Sequence, residues 1–135
     1  MSTFNGTADN ETYAGFDKFV FGRSGSDRLT LLLDGAIASG GAGHDRITFG
    51  NAHQKVAGSS GNDTFVFKDF RSGREIVDFQ TGSDKLIFEY DVFGDDESAF
   101  HVNSKGFLVF DDEGIIRRIA DVRGHDIADS DILFA

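Results

Sequence analysis

The chain has 135 residues, about the size of one domain, and no cysteine, so disulfides, thiolate metal sites and a cysteine nucleophile are excluded. Its 13 basic and 23 acidic residues give a formal charge of −10, which argues against nucleic acid as a partner and makes a compact state depend on something that neutralises the acids. With 17 Gly, no Pro and 15 Phe, it has the aromatic material for a core once that repulsion is relieved.

Residues 1–21 read as a degenerate first coil that caps the repeats. The N-terminus lacks the basic and apolar regions of a Sec signal peptide, and no stretch is long and apolar enough to span a membrane. Two alignments of this coil stand. Asp9 precedes Asp27 by the same step (27 − 9 = 18) that separates the later repeat aspartates, whereas reading Gly6-Thr-Ala-Asp-Asn-Glu11-Thr-Tyr13 as a repeat copy puts Glu11 in the aspartate place. Phe19 and Phe21 alternate around Val20, as in a short strand.

Residues 22–67 are a repeat. Its three copies are Gly22-Arg-Ser-Gly-Ser-Asp27-Arg-Leu29-Thr, Gly40-Gly-Ala-Gly-His-Asp45-Arg-Ile47-Thr and Gly58-Ser-Ser-Gly-Asn-Asp63-Thr-Phe65-Val, in an 18-residue register (45 − 27 and 63 − 45). The apolar places repeat in step: Leu29, Ile47, Phe65, then Leu31, Phe49, Phe67. Glycine-rich turns bring carbonyl oxygens together, the aspartate can join them, and converging oxygens suit a hard cation. An 18-residue coil holds two strands and two turns, so turns 22–27, 40–45 and 58–63 stack on one edge. The other edge holds 32–36 and 50–54, where Ala36 and Gln54 occupy the aspartate places; ions are therefore expected mainly on the first edge.

Residues 68–135 read as a β-rich cap. The stretch from Arg74 to Phe88 reads as strand, turn, strand, with Ile76, Leu86 and Phe88 as core candidates. Residues 91–97, with Asp91, Asp95, Asp96 and Glu97, read as an acidic loop. Gly106–Phe110 and Ile115–Ala120 flank Asp111-Asp-Glu113-Gly in the pattern of a hairpin. Asp126 to Ser130 suits one helical turn, and Asp131-Ile-Leu-Phe-Ala135 suits a last strand.

The pattern G-G-x-G-x-D-x-U-x, with U large and apolar, is matched at every place by residues 40–48; Arg23 and Ser59 replace its second glycine in the outer copies. It is the calcium-binding β-helix repeat, and the chain resembles the hemolysin-type calcium-binding (RTX) family. In layout and in its Phe-Ala ending it resembles the β-roll modules of alginate epimerases and serralysin-type proteases. The segment around Ile76, Asp78, Phe79, Gly82 and Asp84 also resembles one that comes after such repeats.

The resemblance implies an all-β parallel β-roll, a β-solenoid with an 18-residue coil and a C-terminal β-rich cap. It implies Ca2+ between stacked turns, held by aspartates and carbonyls. One ion would take Gly22, Ser24 and Asp27 with Gly41, Gly43 and Asp45; a second would take Gly40, Ala42 and Asp45 with Ser59, Gly61 and Asp63. A third could use Asp9 or Glu11 with Asp27. Asp78 and Asp84 could hold another, though solvated turn acids are the plainer reading. The resemblance further implies a secreted module that folds on calcium and supports type I export of itself or an attached domain. The ending at 131–135 resembles the uncleaved signal read by the type I secretion machinery.

Arg28 and Arg46 share one repeat place and should stack facing outward. They are candidates for binding an acidic polysaccharide, as in the epimerase modules, or are neutralised by nearby acids. His44, His53, His101 and His125 are scattered without HExxH spacing, and there is neither a G-x-S-x-G elbow nor a P-loop. No catalytic machinery is expected.

Overall fold

A computed structural model describes residues 2–94, 97–112 and 114–135. The chain winds as stacked coils whose strands fall alternately into two sheets. One sheet contains β2 (Thr12–Gly15), β4 (Arg28–Leu31), β6 (Arg46–Phe49), β8 (Thr64–Phe67) and β10 (Lys85–Phe88), all parallel, and ends on β14 (Ile132–Phe134). The other contains β1 (Thr3–Asn5), β3 (Phe19–Phe21), β5 (Ile37–Ser39), β7 (Lys55–Ala57) and β9 (Glu75–Ile76), also parallel. This second sheet continues through β13 (Ile115–Asp121), β12 (Phe107–Asp112) and β11 (Phe100–Val102). The expected β-solenoid is thus the fold, and its middle coils keep the 18-residue register, Arg28 pairing with Arg46 and Arg46 with Thr64.

Period-two alternation turns one side chain in two inward, and parallel register stacks like on like. Leu29, Ile47, Phe65 and Leu86 form one buried column; Leu31, Phe49, Phe67 and Phe88 form the next. The Phe49–Phe67 and Phe67–Phe88 rings stack with centroids 4.9 and 5.2 Å apart. Val20, Ala38, Val56 and Ile76 supply the facing column from the other sheet. The outer coils depart from the repeat length. Thr12 pairs with Arg28, so the first coil is shorter (28 − 12 = 16), and Thr64 pairs with Lys85, so the last is longer (85 − 64 = 21).

The cap follows its expected outline with local differences. Ile76, Leu86 and Phe88 are buried, and β12 and β13 form the antiparallel hairpin. Residues 91–97 are not all loop: α1 (Tyr90–Phe93) forms a helical turn, because Phe93 is an apolar anchor buried among Phe88, Phe100 and Phe110. Asp95, Asp96 and Glu113 lie outside the described residues. The helical turn expected at 126–130 is a 3-10 turn at Asp129–Asp131. The ending is a strand, β14, paired parallel with β10.

Candidate metal centre

On one edge the turns 6–11, 22–27, 40–45, 58–63 and 79–84 stack, each handing the chain to a strand of the first sheet. The three repeat turns hold left-handed backbone at alternate places. The second place has φ of 72° at Arg23, 82° at Gly41 and 68° at Ser59; the fourth has 90° at Gly25, 104° at Gly43 and 92° at Gly61. Arg23 and Ser59 therefore adopt the glycine conformation despite their side chains. That costs each on the order of 1–2 kcal/mol.

The last residue of each turn forms a ladder. Asp27 Oδ1 accepts from Glu11 N at 2.8 Å, Asp45 Oδ1 from Asp27 N at 2.9 Å, Asp63 Oδ1 from Asp45 N at 2.9 Å, and Asp84 Oδ1 from Asp63 N at 2.9 Å. The four aspartates are only 1–2% exposed. Each uses one oxygen to tie its coil to the one before. The other oxygens, Oδ2 of Asp27, Asp45 and Asp63, are buried and have no hydrogen-bond partner. An unpaired buried carboxylate oxygen is costly, and here one recurs on three successive turns.

Burial, and then the neighbouring carboxylates, push these groups toward the protonated form. Asp45 is raised to about 6 and Asp63 to about 8, the latter with Asp45, Asp84 and Asp78 adding their charge; Asp27 and Asp84 are also raised, first by burial. Such a row of acids calls for either protons or a cation.

The backbone supplies more oxygen. A Cβ on Gly22 would stand 2.6 Å from Asp27 Oδ2 and 2.7 Å from Gly40 O, so those two oxygens converge on one point. A Cβ on Gly41 would collide with Arg23 O, and one on Gly43 with Gly25 O. The space between turns 22–27 and 40–45 is thus faced by Asp27 Oδ2 and the carbonyls of Arg23, Gly25 and Gly40. These contacts differ from the carbonyl set that the resemblance implies. Gly22 O faces back toward Gly6, and Gly43 O faces on toward Gly61, so neither enters the place assigned to it; Gly40 O likewise belongs to the first place and not the second. The alternating left-handed residues are the reason, because each reverses the peptide after it.

The two ends are closed. Glu11, not Asp9, takes the aspartate place, because the first coil is shorter than the repeat and Thr12 pairs with Arg28. Its carboxylate accepts from Thr7 N and Thr7 Oγ1, both at 2.8 Å, while Asp9 is exposed. At the other end Asp84 is the fourth aspartate of the ladder, not a solvated acid, and Gln80 N donates to its Oδ2 at 2.9 Å. Asp78 accepts from Gly58 N at 3.0 Å and Ser59 N at 2.8 Å, capping the third repeat turn. Thr7 and Gln80 had no signal in the repeat pattern.

Among the described residues, no three of His, Cys, Asp and Glu gather to hold a metal by side chains alone. The first interstice offers a carboxylate oxygen and backbone carbonyls, an all-oxygen donor set that suits a hard cation and not zinc. Arg28 and Arg46 pair in register on the outer face of the first sheet. With Lys68, Thr12, Thr30 and Thr48 they line a trough of about 290 Å³. Among the described residues the side chains of Arg28, Arg46 and Lys68 make no hydrogen bond or ion pair, and Glu89 lines the adjoining hollow. A comparison with known families finds no matching family model, and one with curated proteins finds no match.

Proposed function

We propose that the chain is a calcium-binding β-roll module of the RTX type, secreted, which folds as it takes up Ca2+. The observation that carries this reading is the set of three partnerless oxygens on Asp27, Asp45 and Asp63, buried in a row. Three places result: Asp27 with Asp45, Asp45 with Asp63, and Asp63 with Asp84. Each ion would neutralise two buried carboxylates and take up carbonyls that no N–H reaches. A chain unfolded at cytosolic calcium and folded at millimolar calcium suits export through a narrow channel, which makes type I export and support of an attached domain the role in keeping with this chemistry. Circular dichroism at neutral pH in excess chelator and in millimolar calcium tests it: far more β structure is expected in the second, with three ions counted by calorimetry. Equal β content in both would reject it.

A second reading has its own support. Arg28, Arg46 and Lys68 carry unneutralised charge along one trough of a −10 chain. An acidic polysaccharide such as alginate would lay carboxylates against them. Binding of alginate oligomers that survives Arg28→Ala/Arg46→Ala would remove this pair as the site.

A further inference from the structure

We infer that the second edge of the roll is fastened by the chain's own side-chain donors, Lys18, Gln54 and Arg74, in the place that cations take on the first, and that it binds no calcium. The contrast between edges rests on the proposed function; the fastening does not.

Register identifies the places. Phe19, Ile37, Lys55 and Glu75 stack at the start of the second sheet's strands, so the residues before them, Lys18, Ala36, Gln54 and Arg74, form the counterpart of the aspartate ladder. Instead of acceptors, this ladder holds donors. Gln54 Nε2 donates to Leu31 O at 2.9 Å and to Leu33 O at 2.8 Å. Arg74 donates from Nε to Asn51 O at 2.9 Å and from Nη1 to Asp69 O at 3.2 Å, and its Nη2 stands 2.6 Å from Asp69 Oδ1. Lys18 Nζ donates to Gly35 O. Ala36 brings no polar group, and the turn it ends is held by Lys18 and Gln54.

Gln54 and Arg74 are buried, at 0% and 1% exposure, so these bonds form away from competing water. On turns 32–36 and 50–54, N–H groups already engage the carbonyls of Leu32, Leu33, Gly35, Asn51, Ala52 and Gln54, which a cation would need. The ladder also differs in charge: Lys18 and Arg74, the latter paired with Asp69, stand in it where the first edge has four aspartates, and the turn acid Asp34 is taken by His53. One edge asks for a divalent ion, and the other has its positive charge built in.

The test uses the full chain in saturating calcium. Gln54→Ala is expected to lower the melting temperature by roughly 5 °C, since the buried amide's two bonds between coils are lost and only Gly50 N and Ala36 N still donate to Leu31 O and Leu33 O. The number of calcium ions counted by calorimetry should equal that of the wild type, and a tenfold rise in calcium should not close the gap in melting temperature. Gln54→Glu keeps the shape but sets an acceptor against two carbonyls, and should melt at least as early; it serves where the alanine variant does not fold. A variant that melts with the wild type would overturn the inference. So would the loss of one bound ion in Gln54→Ala, which would make the amide a ligand. A wild type that binds no calcium would sink the first-edge reading alone, and the melting shifts would still decide the second edge.

Discussion

Gly41 and Gly82 share a left-handed backbone, φ 82° and 83°, yet they do different work. A Cβ at Gly82 meets nothing within 4 Å, whereas one at Gly41 would land on the Arg23 carbonyl, which borders the first proposed cation place. Gly82→Ala is therefore expected to cost only the backbone strain, about 1 kcal/mol. Gly41→Ala should cost about 3 kcal/mol, because a coil must also shift to make room, and it should weaken calcium binding as well. Denaturant unfolding at fixed calcium separates the two. The acids give a second prediction at this scale. The folded-state values of Asp45 and Asp63 lie near 6 and 8, above the ordinary 3.8. Between about pH 4 and 8 the metal-free fold thus binds more protons than the unfolded chain, and its stability must fall as pH rises. In chelator, residual β structure should be greater at pH 5 than at pH 8. Calcium affinity should run the other way, because protons compete for the same oxygens.

At the scale of elements, the middle coils were legible in full and the outer ones only in outline. Asp27, Asp45 and Asp63 lie in a strict 18-residue register with their apolar partners, and the strands repeat that register. Glu11 and Asp84 were harder because one of their coils is shorter than the repeat and the other longer, and alignment there is set by which apolar side chains stack and not by residue count. Carbonyl direction was not legible at all, since every residue has a carbonyl and only backbone angles aim it. The column Phe49, Phe67, Phe88 decides the stacking. Phe67→Ala, at 0% exposure between two stacked rings, should cost about 3–5 kcal/mol, measured by unfolding in saturating calcium. The last strand has an anchor of its own. Asp131 is fully buried, accepting from Thr81 Oγ1 at 2.6 Å and from Gly82 N and Ala128 N at 2.9 Å. Asp131→Ala strands those donors and should destabilise by about 1–3 kcal/mol or more, loosening β14 and the end turn of the ladder together.

For the whole molecule, the number of bound ions would appear as a slope of stability against calcium. An ion that binds only the folded chain adds stability in proportion to the logarithm of its concentration, about 1.4 kcal/mol for each tenfold rise once saturated. Three places, one for each partnerless oxygen of Asp27, Asp45 and Asp63, give about 4 kcal/mol per tenfold. That is comparable to the net stability of an ordinary domain, about 5–15 kcal/mol, so a few decades of calcium span the range from unfolded to fully folded. Extracellular calcium modules bind at roughly 10⁻⁴–10⁻³ M, which puts the transition between cytosolic and external concentrations. Urea unfolding at a series of calcium concentrations measures the slope. Asp45→Ala removes one partnerless oxygen and the acceptor of Asp27 N, in the middle of the row, so its slope should fall by at least one ion's worth, about 1.4 kcal/mol per tenfold. Arg28→Ala, on the outer face of the sheet, should keep the wild-type slope. A wild-type stability that does not change with calcium would mean that the buried oxygens are held by protons instead of ions.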